Sequence, residues 1–308
     1  MPRNGYAWWY IDALSDDGAN GLTLIAFIGS VFSPYYAWAR RRGRGDPLDH
    51  VALNVALYGR GGKRWCLTER SGGALRRDAR TLAIGPSHAT WDGAGLTVHI
   101  DEVTVPWPSR VRGRIRLEPS ALVGESFQLD PAGRHRWRPI APNARVEVSL
   151  AQPSLSWSGA GYLDTNAGSE PLENAFVRWD WSRSGGPRGA RILYDVTHRP
   201  TGGADAERGL SLALQIAADG TARRWEAPAR VGLPATRWRI ARGTRCDVGH
   251  VPRVVETLED TPFYARSILA TQLDGEPVTA MHESLDLDRF RAGIVQLMLP
   301  FRMPRARR

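Results

Sequence analysis

The sequence has few of several residue types on which common protein chemistries depend. Among its 308 residues are two cysteines, Cys66 and Cys246, which cannot build a disulfide framework or a thiolate metal site and are expected to be core residues or inert thiols. Lys63 is the single lysine among 41 basic residues, which argues against Schiff-base chemistry. The longest apolar run, Gly21–Phe32, is shorter than the roughly 20 residues that span a bilayer.

Targeting and catalytic signatures are also absent. No N-terminal stretch combines a basic start, an apolar core and a small-residue cleavage site, so export through a signal peptide is not expected. There is no G-x-S-x-G nucleophile elbow, and the glycine cluster Gly59–Lys63 departs from the phosphate-binding loop pattern. The histidines never fall at helical metal-ligand spacing. Hydrolases, kinases and metalloenzymes are therefore disfavoured, and no metal site is expected.

The net charge of +9 raises the question of a nucleic-acid partner. The basic residues are almost all arginine, and they form two local clusters, Arg40–Arg44 and the tail Arg302–Arg308. We interpret the clusters as solvated loop and tail charge and expect no nucleic acid. The alternative is contact with an anionic membrane surface, because the apolar segment Met298–Phe301 adjoins the basic tail.

The abundant residue types and the alternation of apolar with polar residues indicate a β-protein. The chain has 12 tryptophans, 32 glycines and 21 prolines, and apolar residues alternate with polar ones in Leu96–Ile100, Val111–Leu117 and Val146–Leu150, which predicts half-buried strands. Helix signals are few. Ser33 with Pro34 predicts the start of a short helix, and a second candidate, Leu287–Met298, is weakened by Gly293 and closed by Pro300.

A weak internal repeat predicts two similar β-domains. A strand followed by a glycine turn and Arg-Trp occurs at Leu53–Trp65 and again at Leu212–Trp225, and a tryptophan pair precedes each copy. Chance resemblance between such hairpins is the alternative, since turns and tryptophans are common in this chain. If the repeat is genuine, the chain forms domains 1–170 and 171–308, each long enough to close a β-barrel or a two-layer sandwich.

One region concentrates chemically versatile side chains. If the segment containing Tyr162 and Asp164 is extended, both side chains project from one face, and His135 and Trp137 share a face in the same way. A hairpin between the two segments would bring a histidine, two aromatic rings and a carboxylate into one pocket. The alternative is a tight turn in which Asp164 and Asn166 cap backbone amides while the aromatic rings pack in the core.

Four long motifs make the chain resemble a known family. Gly5–Gly18, Phe27–Arg40, Gly161–Gly168 and the ending Gln296–Pro304 are similar to the acyclic carotenoid 1,2-hydratase (hydroxyneurosporene synthase) family. The resemblance covers essentially the whole chain. It implies an all-β protein of two lipocalin-like barrel or sandwich domains with few short helices. It also implies a cofactor-independent hydro-lyase that adds water to the terminal C1–C2 double bond of lycopene- or neurosporene-type carotenoids.

The functionally important residues of that family match His135, Trp137, Tyr162 and Asp164 in order and spacing. We hypothesise that Asp164, kept protonated in an apolar pocket, is the general acid that protonates C2. His135 would orient Asp164, resupply its proton or accept one from the attacking water. Trp137 and Tyr162 would stabilise the tertiary cation at C1 through their π-faces.

Two other functions remain open on this reasoning. The chain could be a non-catalytic pigment- or lipid-binding protein of the same fold, or a cyclase that uses the same scaffold for another carbocation or pericyclic reaction. Because lycopene-like substrates reside in bilayers, we expect a cytoplasmic protein with peripheral contact to the cytoplasmic or photosynthetic membrane. The sequence does not predict the oligomeric state.

Overall fold

The computed structural model describes residues 1–59, 62–186, 189–200 and 209–306. Arg60 and Gly61 of the glycine cluster, and Arg307 and Arg308 of the basic tail, lie outside these residues. The chain groups into two compact units. The first contains Met1–Gln128, Arg134–Pro171 and Leu297–Arg308, and the second contains Leu129–Gly133 and Leu172–Gln296. The assignment of lipocalin-like domains to 1–170 and 171–308 stays a prediction.

The first unit is built on a twelve-stranded antiparallel sheet. Its strands are β1 (Tyr6–Ser15), β2 (Asn20–Ile28), β3 (Val51–Gly59), β4 (Arg64–Arg70), β5 (Leu75–Arg77), β6 (Thr81–Ile84), β7 (Ser87–Trp91), β8 (Leu96–Val103), β9 (Arg110–Pro119), β10 (Phe127–Gln128), β11 (His135–Gln152) and β12 (Leu155–Gly168). Along the sheet the order is β4-β3-β2-β1-β12-β11-β9-β8-β7-β6-β5, and β10 pairs with β11. The first and last long strands of the unit, β1 and β12, are therefore neighbours.

Alternating aliphatic side chains form the core of this sheet. The predicted strands Leu96–Ile100, Val111–Leu117 and Val146–Leu150 fall in β8, β9 and β11, and their apolar positions pack in one buried cluster. The arginines of β9 occupy the opposite face, as the period-two pattern predicted. Half-buried strands are thus confirmed, and one face of the sheet is committed to aliphatic packing.

The second unit repeats the strand order of the first. Its strands are β13 (Phe176–Gly186), β14 (Gly189–His198), β15 (Gly209–Ile216), β16 (Ala222–Arg224), β17 (Arg230–Leu233), β18 (Arg242–Arg245), β19 (Arg253–Asp260), β20 (Tyr264–Leu273) and β21 (Glu276–Asp286). Seven of them form a sheet in the order β16-β15-β14-β13-β21-β20-β19, and β17 pairs with β18. The two predicted repeat hairpins are β3–β4 and β15–β16, which hold equivalent places in the two sheets.

A buried polar network lies in the second unit. The hydroxyl of Ser284 donates to Asp180, which also pairs with Arg230, and His282 lies between Ser182 (2.8 Å) and Ser284 (3.1 Å). Burial raises the pKa of Asp180 to about 6 and lowers the pKa of His282 to about 3. His282 is therefore neutral at pH 7, and the contacts are those of a polar core joined by hydrogen bonds.

Helices are short and few, as predicted. They are α1 (Pro34–Arg41), α2 (Leu172–Ala175), α3 (Leu287–Arg291) and α4 (Gly293–Arg302), with 3-10 turns at Pro47–Asp49 and Gly72–Ala74. Ser33 caps α1 by accepting hydrogen bonds from two backbone amides of the first turn. The second predicted helix is split at Ala292, just before Gly293, and its predicted end at Pro300 is wrong. The helix continues to Arg302 with Pro300 inside it.

Both cysteines are buried, as expected for core residues. Burial raises the pKa of the Cys66 thiol to about 12, and it also raises the pKa of Cys246. Neither thiol is therefore ionised near neutral pH, and neither is a ready nucleophile.

Candidate active site

Three neighbouring strands of the first unit, β1, β12 and β11, carry all four predicted site residues on one face, which we call the aromatic face. Residues directly opposite one another on these strands form rows across it. The four rows are Tyr6–Gly168–His135, Trp8–Asn166–Trp137, Tyr10–Asp164 and Asp12–Tyr162. Successive rows are two residues apart, or roughly 7 Å along the strands. Ile11 and Leu163, which alternate with these residues, point into the aliphatic core.

Asp164 is held by two of the predicted residues. The indole Nε1–H of Trp137 donates to Oδ2 of Asp164 at 2.8 Å, and the hydroxyl of Tyr162 donates to the same oxygen at 2.9 Å. Asp164 is 5% exposed, Trp137 1% and Tyr162 0%. The carboxyl group is therefore oriented by two buried donors that converge on one oxygen.

This arrangement suits a carboxyl group that releases a proton. Because Oδ2 already accepts two hydrogen bonds, the proton of the neutral acid belongs on the other oxygen, Oδ1. Burial of Asp164 disfavours its charged form, whereas the two donors stabilise the carboxylate, since hydrogen bonds to a charged acceptor are the stronger kind. The arrangement therefore provides a place for the proton on Oδ1 and two donors for the carboxylate that remains after the proton has left.

His135 shares the aromatic face but has different neighbours. Its ring is fully buried, with Nδ1 2.8 Å from the Tyr6 hydroxyl and Nε2 3.5 Å from Oε1 of Glu170. A carboxylate can only accept, so the proton of a neutral ring belongs on Nε2, and Nδ1 then accepts from Tyr6. At the backbone, His135 is two rows from Asp164, or roughly 13 Å along the strands. Its role as the partner of Asp164 stays a prediction, whereas Trp137 and Tyr162 contact the acid directly.

A glycine makes the Tyr6–His135 pair possible. Gly168 lies between the two residues in the first row. A Cβ atom on Gly168 would be 2.5 Å from Cε1 of Tyr6 and 2.8 Å from Nδ1 of His135, closer than real Cβ atoms approach other atoms. The two rings therefore meet across a position that only glycine can fill without displacing them.

Aromatic rings surround the acid. Tyr10 and Tyr162 meet edge-on with centroids 6.2 Å apart, and Phe127 lies 5.6 Å from Trp137. Tyr6 and Trp8 are stacked at 5.0 Å. The face therefore offers π-surfaces close to a carboxyl group, with little access to solvent.

Several residues of the aromatic face were not predicted from the sequence. Tyr6, Trp8, Tyr10 and Asp12 occupy alternate positions of β1 and are all buried. The alternation of aromatic and acidic residues along β1 is visible in the sequence. It indicates a shared site only once β1 is known to pair with β12. Glu170, beyond the end of β12, carries no such signal.

The tight-turn interpretation of the Asp164 segment is wrong. β12 is continuous from Leu155 to Gly168, so the segment is extended, and Tyr162 and Asp164 share a face as the strand interpretation predicted. Across the described parts of the chain, no three His, Cys, Asp or Glu side chains are grouped as a metal site would require.

Comparison with known proteins places this chain in a family. The profile of the family described as Carotenoid hydratase CrtC matches residues 24–308. Over 302 residues the chain is 63% identical to the acyclic carotenoid 1,2-hydratase of Thiocapsa roseopersicina, which covers 98% of this chain and 73% of that protein. The chain belongs to the carotenoid hydratase family. The membership inferred from the four motifs is confirmed, although the motif Gly5–Gly18 precedes the residues that the profile matches.

Solved structures show the fold of this carotenoid hydratase family member. The chain is similar to a candidate AttH protein of Nitrosomonas europaea, with a TM-score of 0.61, 16% identity and 92% of each chain covered. It is also similar to kievitone hydratase of Nectria haematococca, with a TM-score of 0.56, 9% identity and coverage of 92% and 90%. At such identities the likeness concerns the fold alone. The predicted all-β, lipocalin-like class is confirmed.

The first prediction concerns Gly168. Gly168→Ala should destabilise the protein by about 1–3 kcal/mol, the usual cost of an added methyl group in a packed site. Because the clash falls on Tyr6 and His135, the ring nitrogen resonances of His135 should shift as well. Urea unfolding and NMR of labelled histidine measure the two effects.

Gly124→Ala is the matched control, because a Cβ atom there meets nothing within 4 Å. It should change the stability by no more than about 0.5 kcal/mol. Equal stability of the two variants, with His135 resonances unmoved, would contradict the close approach across Gly168.

Proposed function

We propose that this chain adds water across the terminal C1–C2 double bond of acyclic carotenoids such as lycopene and neurosporene. Membership of the carotenoid hydratase family supports the reaction class, and the relative from Thiocapsa roseopersicina bears the name of that activity. The observation that carries the chemistry is the buried Asp164 carboxyl, with one oxygen held by Trp137 and Tyr162. It supplies an oriented acid among aromatic rings.

The reaction begins with proton transfer from Asp164. An isolated alkene is a weak base, so the donor must be a carboxylic acid that is protonated yet placed against the double bond. The proton on Oδ1 goes to C2, the less substituted carbon, and the electron pair of the double bond forms the new C–H bond. Positive charge then develops at C1, which carries two methyl groups. The carboxylate that remains is stabilised by the two donors on Oδ2.

The aromatic rings act on the cation that follows. A tertiary cation in a dry pocket has no hydration shell, but a ring face attracts it by roughly 0.5–2 kcal/mol. Trp137 and Tyr162 direct their polar edges at Asp164, and we propose that both rings lie beside C1 when the carotenoid is bound. The attraction exists only after charge has developed, so it lowers the barrier without tightening the binding of neutral carotenoid.

Water then adds to C1 and releases one proton. Asp164 gives up one proton and the added water releases one proton. The two cancel over the cycle, so the reaction consumes only water and carotenoid. The proposed chemistry uses no cofactor. His135, held by Tyr6 and near Glu170, is a candidate to exchange protons with the site, and its buried position suits a group that changes charge only transiently.

We also propose peripheral contact with the cytoplasmic or photosynthetic membrane. Helix α4 exposes Ile294, Leu297, Met298 and Phe301, which lie on one face at helical spacing. Exposed apolar residues in such a row, close to basic ones, are typical of helices that lie in a bilayer surface. Within the described residues, no helix combines the length and the hydropathy needed to cross a membrane.

The basic tail is partly engaged within the first unit. Arg305 pairs with Glu69, and its Nη1 lies 2.8 Å from Nδ1 of His50. The guanidinium of Arg302 lies 4.8 Å from the centre of the Trp65 ring. These contacts hold the end of α4 and the residues that follow it against the first unit. The proposed membrane contact therefore depends on the apolar face of α4, with the arginines contributing charge from anchored positions.

Asp164→Asn tests the proposed reaction. The amide keeps the shape of the side chain but has no acidic proton, so hydration of lycopene should fall by at least about 100-fold, a typical effect of losing a general acid. Carotenoid binding should remain, because the change is local and nearly isosteric. Mass spectrometry of the product formed in H₂¹⁸O measures hydration, and quenching of tryptophan fluorescence measures binding.

Asp101→Asn, at a partly exposed carboxylate of β8, serves as the matched control and should hydrate lycopene at the native rate. Native turnover by Asp164→Asn would show that another group supplies the proton. Native protein that binds lycopene but never yields a product heavier by one water would indicate a pigment-binding protein instead.

A second test concerns the membrane. Replacing both Leu297 and Phe301 by Ser should weaken binding to anionic vesicles by at least about tenfold, because each large apolar side chain contributes about 1.5–3 kcal/mol when it leaves water. Flotation with phosphatidylglycerol vesicles measures the effect, and added salt should weaken the binding of the native protein. The control replaces Val248 and Val251, which are 91% and 83% exposed in the second unit. Equal flotation of native protein and the α4 variant would exclude this surface.

A further inference from the structure

The fourth row of the aromatic face continues onto the next strand. Asp12 of β1 lies directly opposite Tyr162 of β12 on one side and opposite Thr23 of β2 on the other. Directly opposed residues of antiparallel strands project from the same face, so the three side chains are neighbours. All three residues are 0% exposed. A carboxyl group and a hydroxyl group are thus buried side by side, next to a residue that binds Asp164.

Thr23 has a polar atom that the protein does not satisfy. Its Oγ1 is buried and has no hydrogen-bond partner among the residues that the structure describes. Leaving a buried hydroxyl unsatisfied costs about 1–3 kcal/mol, so such groups in proteins usually bind water or a ligand. Beside a carboxyl group, the hydroxyl provides the kind of polar corner that holds a water molecule in an otherwise apolar site.

The position of this corner matches the geometry of hydration. Asp12 is one row from Asp164 and on the adjacent strand, a diagonal relation in which Cβ atoms lie about 7–8 Å apart or less. C1 and C2 of the substrate are bonded neighbours, so a carotenoid that receives a proton from Asp164 at C2 presents C1 within reach of the same corner. His135, two rows away at the backbone, is the more distant candidate base.

We infer that Asp12 and Thr23 hold the water that adds to C1, and that Asp12 accepts its proton. The inference rests on the proposed hydration reaction. Thr23 orients the water through its hydroxyl, and the carboxylate of Asp12 accepts a hydrogen bond from it. Two neighbouring buried carboxyl groups resist ionising together, so the proposal assigns the one negative charge of the pair to Asp12 and the one proton to Asp164.

The proposed step balances. The carbon–oxygen bond forms from a lone pair of the water to the cationic C1, and one O–H bond of the water breaks with its proton going to Asp12. Asp164 has meanwhile lost one proton to C2. Return of the proton from Asp12 to Asp164 restores both groups, so the corner requires no oxidant, reductant or co-reactant.

Turnover in D₂O separates capture of the cation from its formation. Asp164 then carries deuterium and delivers it to C2. A cation that water does not capture must lose a proton from C2 or from a methyl group on C1, which returns a non-hydrated carotenoid that contains deuterium. Mass spectrometry quantifies both the hydrated product and the deuterated, non-hydrated carotenoid for each variant.

Asp12→Asn should lower hydration by about 100-fold or more, and Thr23→Val, which keeps the side-chain shape, by about tenfold. In both variants the deuterated, non-hydrated carotenoid should persist or increase, because the acid is intact. Asp164→Asn should lose both products. Thr90→Val, at a half-buried hydroxyl of β7, is the matched control and should behave as native protein.

Two results would overturn the inference while leaving the proposed function intact. One is native hydration by folded Thr23→Val and Asp12→Asn. The other is a parallel loss of hydration and deuterium exchange in both variants, which would place Asp12 in the protonation step. Thr23→Val decides the matter if Asp12→Asn does not fold. Native protein that forms neither product would instead overturn the proposed hydration reaction.

Discussion

Two hydrogen bonds to a single oxygen of a buried carboxyl group are the interaction on which the rest of this site depends. Trp137 and Tyr162 fix the orientation of Asp164, and their hydrogen bonds to Oδ2 would stabilise its carboxylate form. In the proposed reaction both donors serve twice, with the polar edge directed at the acid and the ring beside the developing cation. A serine or an asparagine could donate the hydrogen bond but could not offer a π-face.

The sheet makes this arrangement possible because its aliphatic side chains lie on one face and its polar and aromatic site residues lie on the other. The aliphatic face is sealed by residues such as Ile11 and Leu163, while the aromatic face collects acids, hydroxyls and rings. Because strand side chains alternate, a slip of one residue between β1 and β12 would bring Asp164 to the aliphatic core and expose Leu163 to the site. Stable packing of the aliphatic face therefore also fixes the register of the reactive one.

The sequence predicted the parts of this molecule that depend on local pattern. Alternation at Val111–Leu117, the Ser33 cap and the shared face of Tyr162 and Asp164 follow from side-chain periodicity alone. What it could not supply was long-range pairing. Asp12 and Tyr162 are 150 positions apart in the chain, and only the pairing of β1 with β12 makes them neighbours. The sequence also names residue types but not atoms, so Trp137 was expected to act through its ring and not through its N–H.

Infrared spectroscopy of Asp164 is the decisive experiment, because the proposed reaction requires a protonated acid in the resting site at neutral pH. The difference spectrum between native protein and Asp164→Asn, each saturated with hydrated carotenoid, isolates the vibrations of this carboxyl group. We predict a carboxylic-acid carbonyl band that shifts on exchange into D₂O, with no carboxylate band of matching intensity. A difference spectrum that contains only the two carboxylate bands would contradict the account, since an ionised Asp164 has no proton to give to C2.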